Sequence, residues 1–191
     1  MGSVPLYRPP AKLCKPVFDP AMWTGQDLAA DKSWLLPVSV GLLEDLKSLA
    51  AHIRPRIAED PNQLLTLTRA DLPIGRFAQT LDEVRHSLKG GLGLAVIRGL
   101  SVQEWVRLDL MLVYWAMGRY LGRALSNNGE GVMIGHVLDV GKDCDNPNHR
   151  GYLRNVTKDY HVDQCDVVCI LCLQTAWSGG QSTCRCFGAC C

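Results

Sequence analysis

The sequence lacks any strong imbalance of charge. Its 20 lysines and arginines almost match its 19 aspartates and glutamates, so the formal net charge is +1. A protein that binds nucleic acid or an anionic membrane through electrostatics normally carries a clear basic excess. The composition therefore predicts neither nucleic acid nor a membrane surface as a partner.

Long apolar runs are also missing. No run approaches the roughly 20 residues that a membrane-spanning helix requires, and the first residues of the chain form no apolar signal core. These absences predict a cytoplasmic location. By contrast, a hydrophobic content of 47% in 191 residues is enough for the core of one domain.

Hydrophobic periodicity predicts two helices in the first half of the chain. Apolar residues between positions 42 and 53 recur with the helical period, which predicts a helix that begins after Ser39 and ends at Pro55. A second helix is predicted over positions 74 to 88, and the glycine pair that starts at Gly90 is a typical C-terminal stop.

A third helix is predicted over positions 102 to 121. Ser101 and Glu104 have the spacing of a capping box, and the following residues supply a broad apolar face. We expect this helix to be the longest in the chain and to pack on a sheet. Three short apolar segments are predicted as strands: 93–97, 132–140 and 167–173.

His161 and Asp163 are the strongest candidates for chemistry. In an extended segment, residues two apart point to the same side, so the imidazole and the carboxylate can converge on one point. They supply two of the three ligands in the arrangement of two histidines and one carboxylate that holds Fe(II) in oxygenases. The alternative is a partly exposed histidine and aspartate without a metal, because short motifs match often by chance.

Several stretches around this pair carry a family resemblance. They are Gly91 to Leu100, Arg150-Gly151-Tyr152 with Asn155, Tyr160 to Val168, Leu171 to Leu173, and Ser178 to Ser182. Together they resemble the taurine dioxygenase family of Fe(II)/2-oxoglutarate oxygenases, in its fungal-type members. The similarity covers roughly positions 90 to 183.

The resemblance implies an α+β fold: a partial double-stranded β-helix, or jelly roll, with flanking helices and its C-terminal half missing. It divides the chain into an irregular N-terminal arm at 1–37, the N-terminal part of the oxygenase domain at 38–182, and an aberrant cysteine-rich tail at 183–191. The sequence does not indicate an oligomeric state.

The resemblance also implies the site. His161 and Asp163 bind Fe(II), Ser182 helps to bind the carboxylate of the cosubstrate 2-oxoglutarate, and Asn155 and Tyr160 line the approach of a small-molecule substrate. The activity implied is the oxidation of a small organic compound in specialised metabolism. Ser182 can equally be a turn residue, and Asn155 and Tyr160 can equally be structural.

The cysteines permit other interpretations. Cys165, Cys169 and Cys172 have a spacing used for iron–sulfur clusters, but a strand would turn Cys169 and Cys172 to opposite faces. We therefore interpret the three as small buried hydrophobic residues. The cysteines of the tail match neither a paired zinc knuckle nor a prenylation site with basic support.

The family chemistry requires a second histidine and a carboxylate-binding arginine downstream of the first pair. None of the five histidines follows Asp163. We therefore expect a truncated chain with little or no turnover of 2-oxoglutarate. The alternatives are a non-catalytic remnant, an interaction module that pairs with a longer relative, or a cysteine-rich metal-binding protein.

Overall fold

A computed structural model describes residues 18–138 and 157–184, together with Lys12 and Lys15. The elements in these ranges are α1 (Gly25–Ala30), β1 (Leu35–Pro37), α2 (Val40–Glu59), α3 (Gln63–Thr66), α4 (Phe77–Gly90), β2 (Val96–Arg98) and α5 (Arg107–Leu121), with single 3-10 turns at Arg69–Asp71 and Val102–Glu104. The chain divides into two units, Met1–Gly122 with Ile170–Cys191, and Arg123–Cys169.

The core of the first unit lies between α2, α4 and α5. These helices bury apolar side chains at helical spacing, and none of the following is more than 1% exposed: Leu46, Leu49, Ile53, Phe77, Leu81, Leu112 and Val113. Fully burying a side chain of this size stabilises the fold by about 1.5–3 kcal/mol. The predicted amphipathic patterns therefore correspond to one shared core.

The helix predicted to begin after Ser39 is confirmed, but its predicted end is wrong. Ser39 is the N-cap of α2, and its hydroxyl accepts a hydrogen bond from the backbone N–H of Leu42. Pro55 lies inside the helix, which continues to Glu59. Proline removes one helical hydrogen bond, and the apolar contact of Ile57 with the core on the far side of Pro55 offsets that loss.

An acidic side chain on α2 fixes the start of α4. The carboxylate of Asp45 accepts hydrogen bonds from the backbone N–H and the Nε–H of Arg76, at 2.8 and 2.9 Å. Gly75 precedes this contact with φ +62°, and a Cβ there would lie 2.7 Å from Asp45 Oδ2. The predicted helix over 74–88 therefore begins later, at Phe77, and its stop is confirmed at the C-cap Gly91.

The predicted helix over 102–121 is shorter than expected. Its first residues form the 3-10 turn Val102–Glu104, and the Ser101 side chain makes no capping hydrogen bond there. Trp105 and Val106 are extended, so α5 begins at Arg107. With 15 residues, α5 is not the longest helix, since α2 has 20, and it packs on α2 and α4.

The two strands form a parallel pair. Leu35 aligns with Val96, and Pro37 aligns with Arg98. The predicted strand at 93–97 thus exists, shifted toward its C-terminal end. It is not buried as predicted, because the Val96 side chain is 43% exposed. Within the segment predicted as an irregular arm, the structure contains α1 and β1.

The second unit contains no helix or strand in its described residues, 123–138 and 157–169. A turn is confirmed at the Asn127-Asn128-Gly129 signal, where the Asn128 side chain accepts a hydrogen bond from the N–H of Val132, and Asn127 donates to the carbonyl of Met133. These bonds occupy the groups that a strand ladder would use. The strand predicted from position 132 is therefore wrong as far as position 138, and residues 139 and 140 lie outside the described ranges.

The predicted strand at 167–173 is also absent, since none of its residues pairs with another strand. Its apolar side chains are largely exposed: 53% for Val168 and 79% for Ile170. A strand forms only where a neighbouring strand pairs with its N–H and C=O groups, and the described ranges provide no such neighbour for this segment.

The described elements are helices and a two-stranded parallel sheet, so the jelly roll stays a prediction. No described helix combines the length and apolar character required to cross a bilayer. The proposed domain boundaries likewise stay predictions.

The contact between Asp45 and Arg76 predicts a specific dependence of stability on pH. The hydrogen bond from the Arg76 side chain, and to a smaller extent the one from its backbone N–H, lowers the pKa of Asp45 below its ordinary value of 3.8. A lowered pKa in the folded state adds stability above pH 3.8, and this stability is lost as the pH falls through the folded value. Asp45→Asn should therefore have a lower melting temperature than the wild type at pH 7. Near pH 2.5, the difference between the two melting temperatures should be smaller.

Glu59→Gln, a charge change at the other end of the same helix, is the matched control for thermal unfolding across this pH range. An Asp45→Asn deficit that is equally large at pH 7 and at pH 2.5 would contradict the assigned contact.

Candidate metal site

His161 and Asp163 lie side by side on an exposed part of the second unit. The distance from His161 Nε2 to Asp163 Oδ1 is 4.0 Å, and both side chains are about half exposed, at 55% and 52%. The segment from 157 to 169 is neither helix nor strand. The expected juxtaposition of the two groups is therefore observed, but not at the mouth of a sheet.

A main-chain contact orients the histidine ring. His161 Nδ1 lies 2.8 Å from the carbonyl oxygen of Asp159. A carbonyl oxygen can only accept, so Nδ1 carries the hydrogen in this bond. In the neutral ring the lone pair is then on Nε2, the nitrogen that faces Asp163.

This arrangement fits a metal ligand pair after a small adjustment. Two ligand atoms in neighbouring positions, each about 2.1 Å from a metal, lie about 3 Å apart. Exposed side chains such as these can approach by about 1 Å through ordinary rotamer changes. The donor set, one imidazole nitrogen and one carboxylate oxygen, suits a divalent first-row metal such as Fe(II).

Three other residues are predicted for the site. Asn155 lies outside the described residues. The Tyr160 side chain is 57% exposed in the same unit, and Ser182 is exposed in the other unit. The roles assigned to these three residues stay predictions.

The cysteines are not buried as predicted. Cys165, Cys169 and Cys172 are all exposed, because the apolar segment around them forms no covered strand. Cys184 of the tail is exposed as well. Partial desolvation by the surrounding chain raises the pKa of the Cys169 thiol, and the electrostatic effect of the nearby Cys165 raises it further. A raised pKa disfavours the thiolate, which is the form that binds metals. The remaining cysteines of the tail lie outside the described residues.

Within residues 18–138 and 157–184, no group of three or more His, Cys, Asp or Glu side chains could hold a metal ion. The His161 and Asp163 pair would therefore need a further ligand from outside that set.

Sequence reasoning missed a groove of about 500 Å³ in the first unit, lined by residues of α4 and both strand regions. Gln79, Glu83 and His86 lie along it. Their spacing of four and then three residues places them on one face of α4. This polar stripe was visible in the sequence, but nothing indicated that it would border a cavity.

The contact of His161 with the carbonyl of Asp159 was also not predicted from the sequence, since a backbone acceptor does not depend on the identity of its residue.

Comparison with known proteins gives two distant relatives. The chain is 27% identical over 170 residues to FR-33289 synthase of Streptomyces rubellomurinus, and this alignment covers 88% of this chain and 49% of that protein. It is 21% identical over 178 residues to the taurine hydroxylase-like protein SAT17 of Stachybotrys chartarum, and this alignment covers 90% of this chain and 45% of that protein. No protein-family model matches the chain.

The names of these relatives suggest the taurine dioxygenase-like family of Fe(II)/2-oxoglutarate oxygenases. The chain spans about half the length of the curated relatives it matches. The sequence resemblance and these relatives therefore point in the same direction at the level of the family.

Proposed function

We propose that this chain carries the N-terminal part of an Fe(II)/2-oxoglutarate-dependent oxygenase that oxidises a small organic substrate. The observation that supports this most is the approach of His161 Nε2 to within 4.0 Å of Asp163 Oδ1. The pair occurs in a chain whose distant relatives include a taurine hydroxylase-like protein. Neither the spacing nor the relatives alone would justify the proposal.

In this proposal, His161 and Asp163 hold Fe(II), and a further ligand completes the site. Bound iron with 2-oxoglutarate and dioxygen would supply oxidising power toward an unactivated carbon. Dioxygen would be the oxidant: one of its oxygen atoms would go to the substrate, and the other to the succinate that forms from 2-oxoglutarate with loss of carbon dioxide. The residues of the chain hold the metal, orient the cosubstrate through Ser182, and line the approach through Asn155 and Tyr160. The protein contributes position and local electrostatics to chemistry that the cofactor performs.

The proposed fold of the whole protein is a jelly roll, which is an antiparallel architecture, so the parallel pair β1 and β2 would be an addition to it. Parallel sheets are normally covered on both faces, and two strands alone are marginally stable. The small sheet is therefore compatible with a larger one.

An interaction module is the second candidate function. Apolar side chains are exposed along the segment after the His161 and Asp163 pair, with Ile170 at 79% and Trp177 fully exposed. Exposed apolar side chains in succession favour contact with another polypeptide. In this alternative, His161 and Asp163 are neighbouring polar side chains at the surface with no metal between them.

Metal titration separates these two functions. We expect the 191-residue chain to bind Fe(II) under anaerobic conditions, measured by calorimetry. His161→Ala and Asp163→Asn should each weaken binding by at least about tenfold, because the first removes a direct ligand and the second replaces a charged carboxylate ligand with a neutral amide. His136→Ala is the matched control, an exposed histidine of the same unit. Equal losses in all three variants, or no binding by the wild type, would favour the interaction module.

Turnover is a separate expectation. The 191-residue chain should release little or no succinate from 2-oxoglutarate in the presence of Fe(II) and ascorbate, because the pair supplies two of the three ligands of a facial triad. Succinate can be measured after separation of the products. Robust release that disappears in His161→Ala would show that the chain builds a complete site and would overturn this expectation.

A further inference from the structure

The contact between His161 and the main chain determines more than the position of the ring. Nδ1 lies 2.8 Å from the carbonyl oxygen of Asp159, two residues earlier. This distance is well within the range of a hydrogen bond from nitrogen to oxygen. A peptide carbonyl accepts hydrogen bonds and carries no proton, so it can bind only a ring with hydrogen on Nδ1.

The choice of nitrogen matters because a neutral imidazole has one lone pair. A ring with hydrogen on Nδ1 offers its lone pair at Nε2. Nε2 is also the ring atom that faces Asp163, at 4.0 Å from Oδ1. The opposite tautomer would place the Nδ1 lone pair 2.8 Å from the Asp159 carbonyl oxygen, where two electron-rich atoms repel. Its N–H on Nε2 would gain only a contact of 4.0 Å with the Asp163 carboxylate, which is too long for a hydrogen bond.

We infer that Asp159 is a positioning residue whose main-chain carbonyl selects the tautomer of His161 with the metal-binding lone pair on Nε2. The inference rests on the proposed function for the identity of the ligand, a divalent metal, but the tautomer itself is a property of the metal-free chain. A carbonyl partner on the second ring nitrogen both fixes the ring and increases the basicity of the first. The Asp159 side chain is not required, because the acceptor is the main chain.

The test weakens this one acceptor. An ester in place of the peptide bond between Asp159 and Tyr160, introduced by semisynthesis of the full chain, leaves every side chain unchanged. It makes the Asp159 carbonyl a poorer acceptor and replaces the N–H of Tyr160 by oxygen. The matched control is an ester between His161 and Val162, which weakens the carbonyl of His161 and removes the N–H of Val162, so that both variants lose one donor. Circular dichroism compares the fold of the three proteins.

The first readout is the tautomer of His161 in the metal-free chain, from the nitrogen chemical shifts of its ring, measured where a further rise in pH no longer changes them. We expect hydrogen on Nδ1 in the wild type and in the control ester, and a mixture of both tautomers in the Asp159–Tyr160 ester. The second readout is Co(II) affinity, which should fall by up to about tenfold in that ester alone.

The outcomes distinguish this inference from the proposed function. Hydrogen on Nε2 in the wild type, or the same tautomer in all three proteins, would overturn the selection by Asp159. Selection of the expected tautomer without Co(II) binding by any of the proteins would establish the positioning role in the free chain and overturn the metal-binding part together with the proposed function.

Discussion

Burial of one apolar face on each of α2, α4 and α5 is the constraint on which the first unit depends. Side chains such as Leu49, Phe77 and Val113 have essentially no contact with solvent. This burial explains why α2 continues through Pro55 and why the extended residues before α5 are tolerated, since Trp105 packs against the core from that extended segment. The local conformational preference of a residue is overridden where the alternative conformation removes a larger apolar surface from water.

Polar contacts refine this core at its edges. The bidentate Arg76 on Asp45 sets the first turn of α4, and Arg54 forms a close ion pair with Asp109 at the start of α5. Such exposed ion pairs contribute little stability individually. Their effect here is to fix where helices begin, which a sequence pattern does not specify.

The helices were predictable because their apolar spacing reports directly on the shared core, and Ser39 and Gly91 marked two of the ends correctly. Of the three predicted strands, only the one at 93–97 has a counterpart in the described residues, namely β2. Val132 and Ile170 have the apolar, β-branched character of strand residues, yet a strand also needs a partner, and the identity of that partner is not encoded locally. The same reason accounts for Cys169, which was expected to be buried and is exposed.

For the candidate site, the spacing of His161 and Asp163 was enough to predict their proximity, whereas the Asp159 carbonyl that orients the ring was not predictable from residue identity. The most direct test of metal binding is the local broadening of NMR signals by substoichiometric Mn(II). The account predicts that broadening is strongest at His161 and Asp163 and decreases with distance from them. Broadening centred on Glu83 and His86 of α4, or on the exposed cysteines, would contradict it.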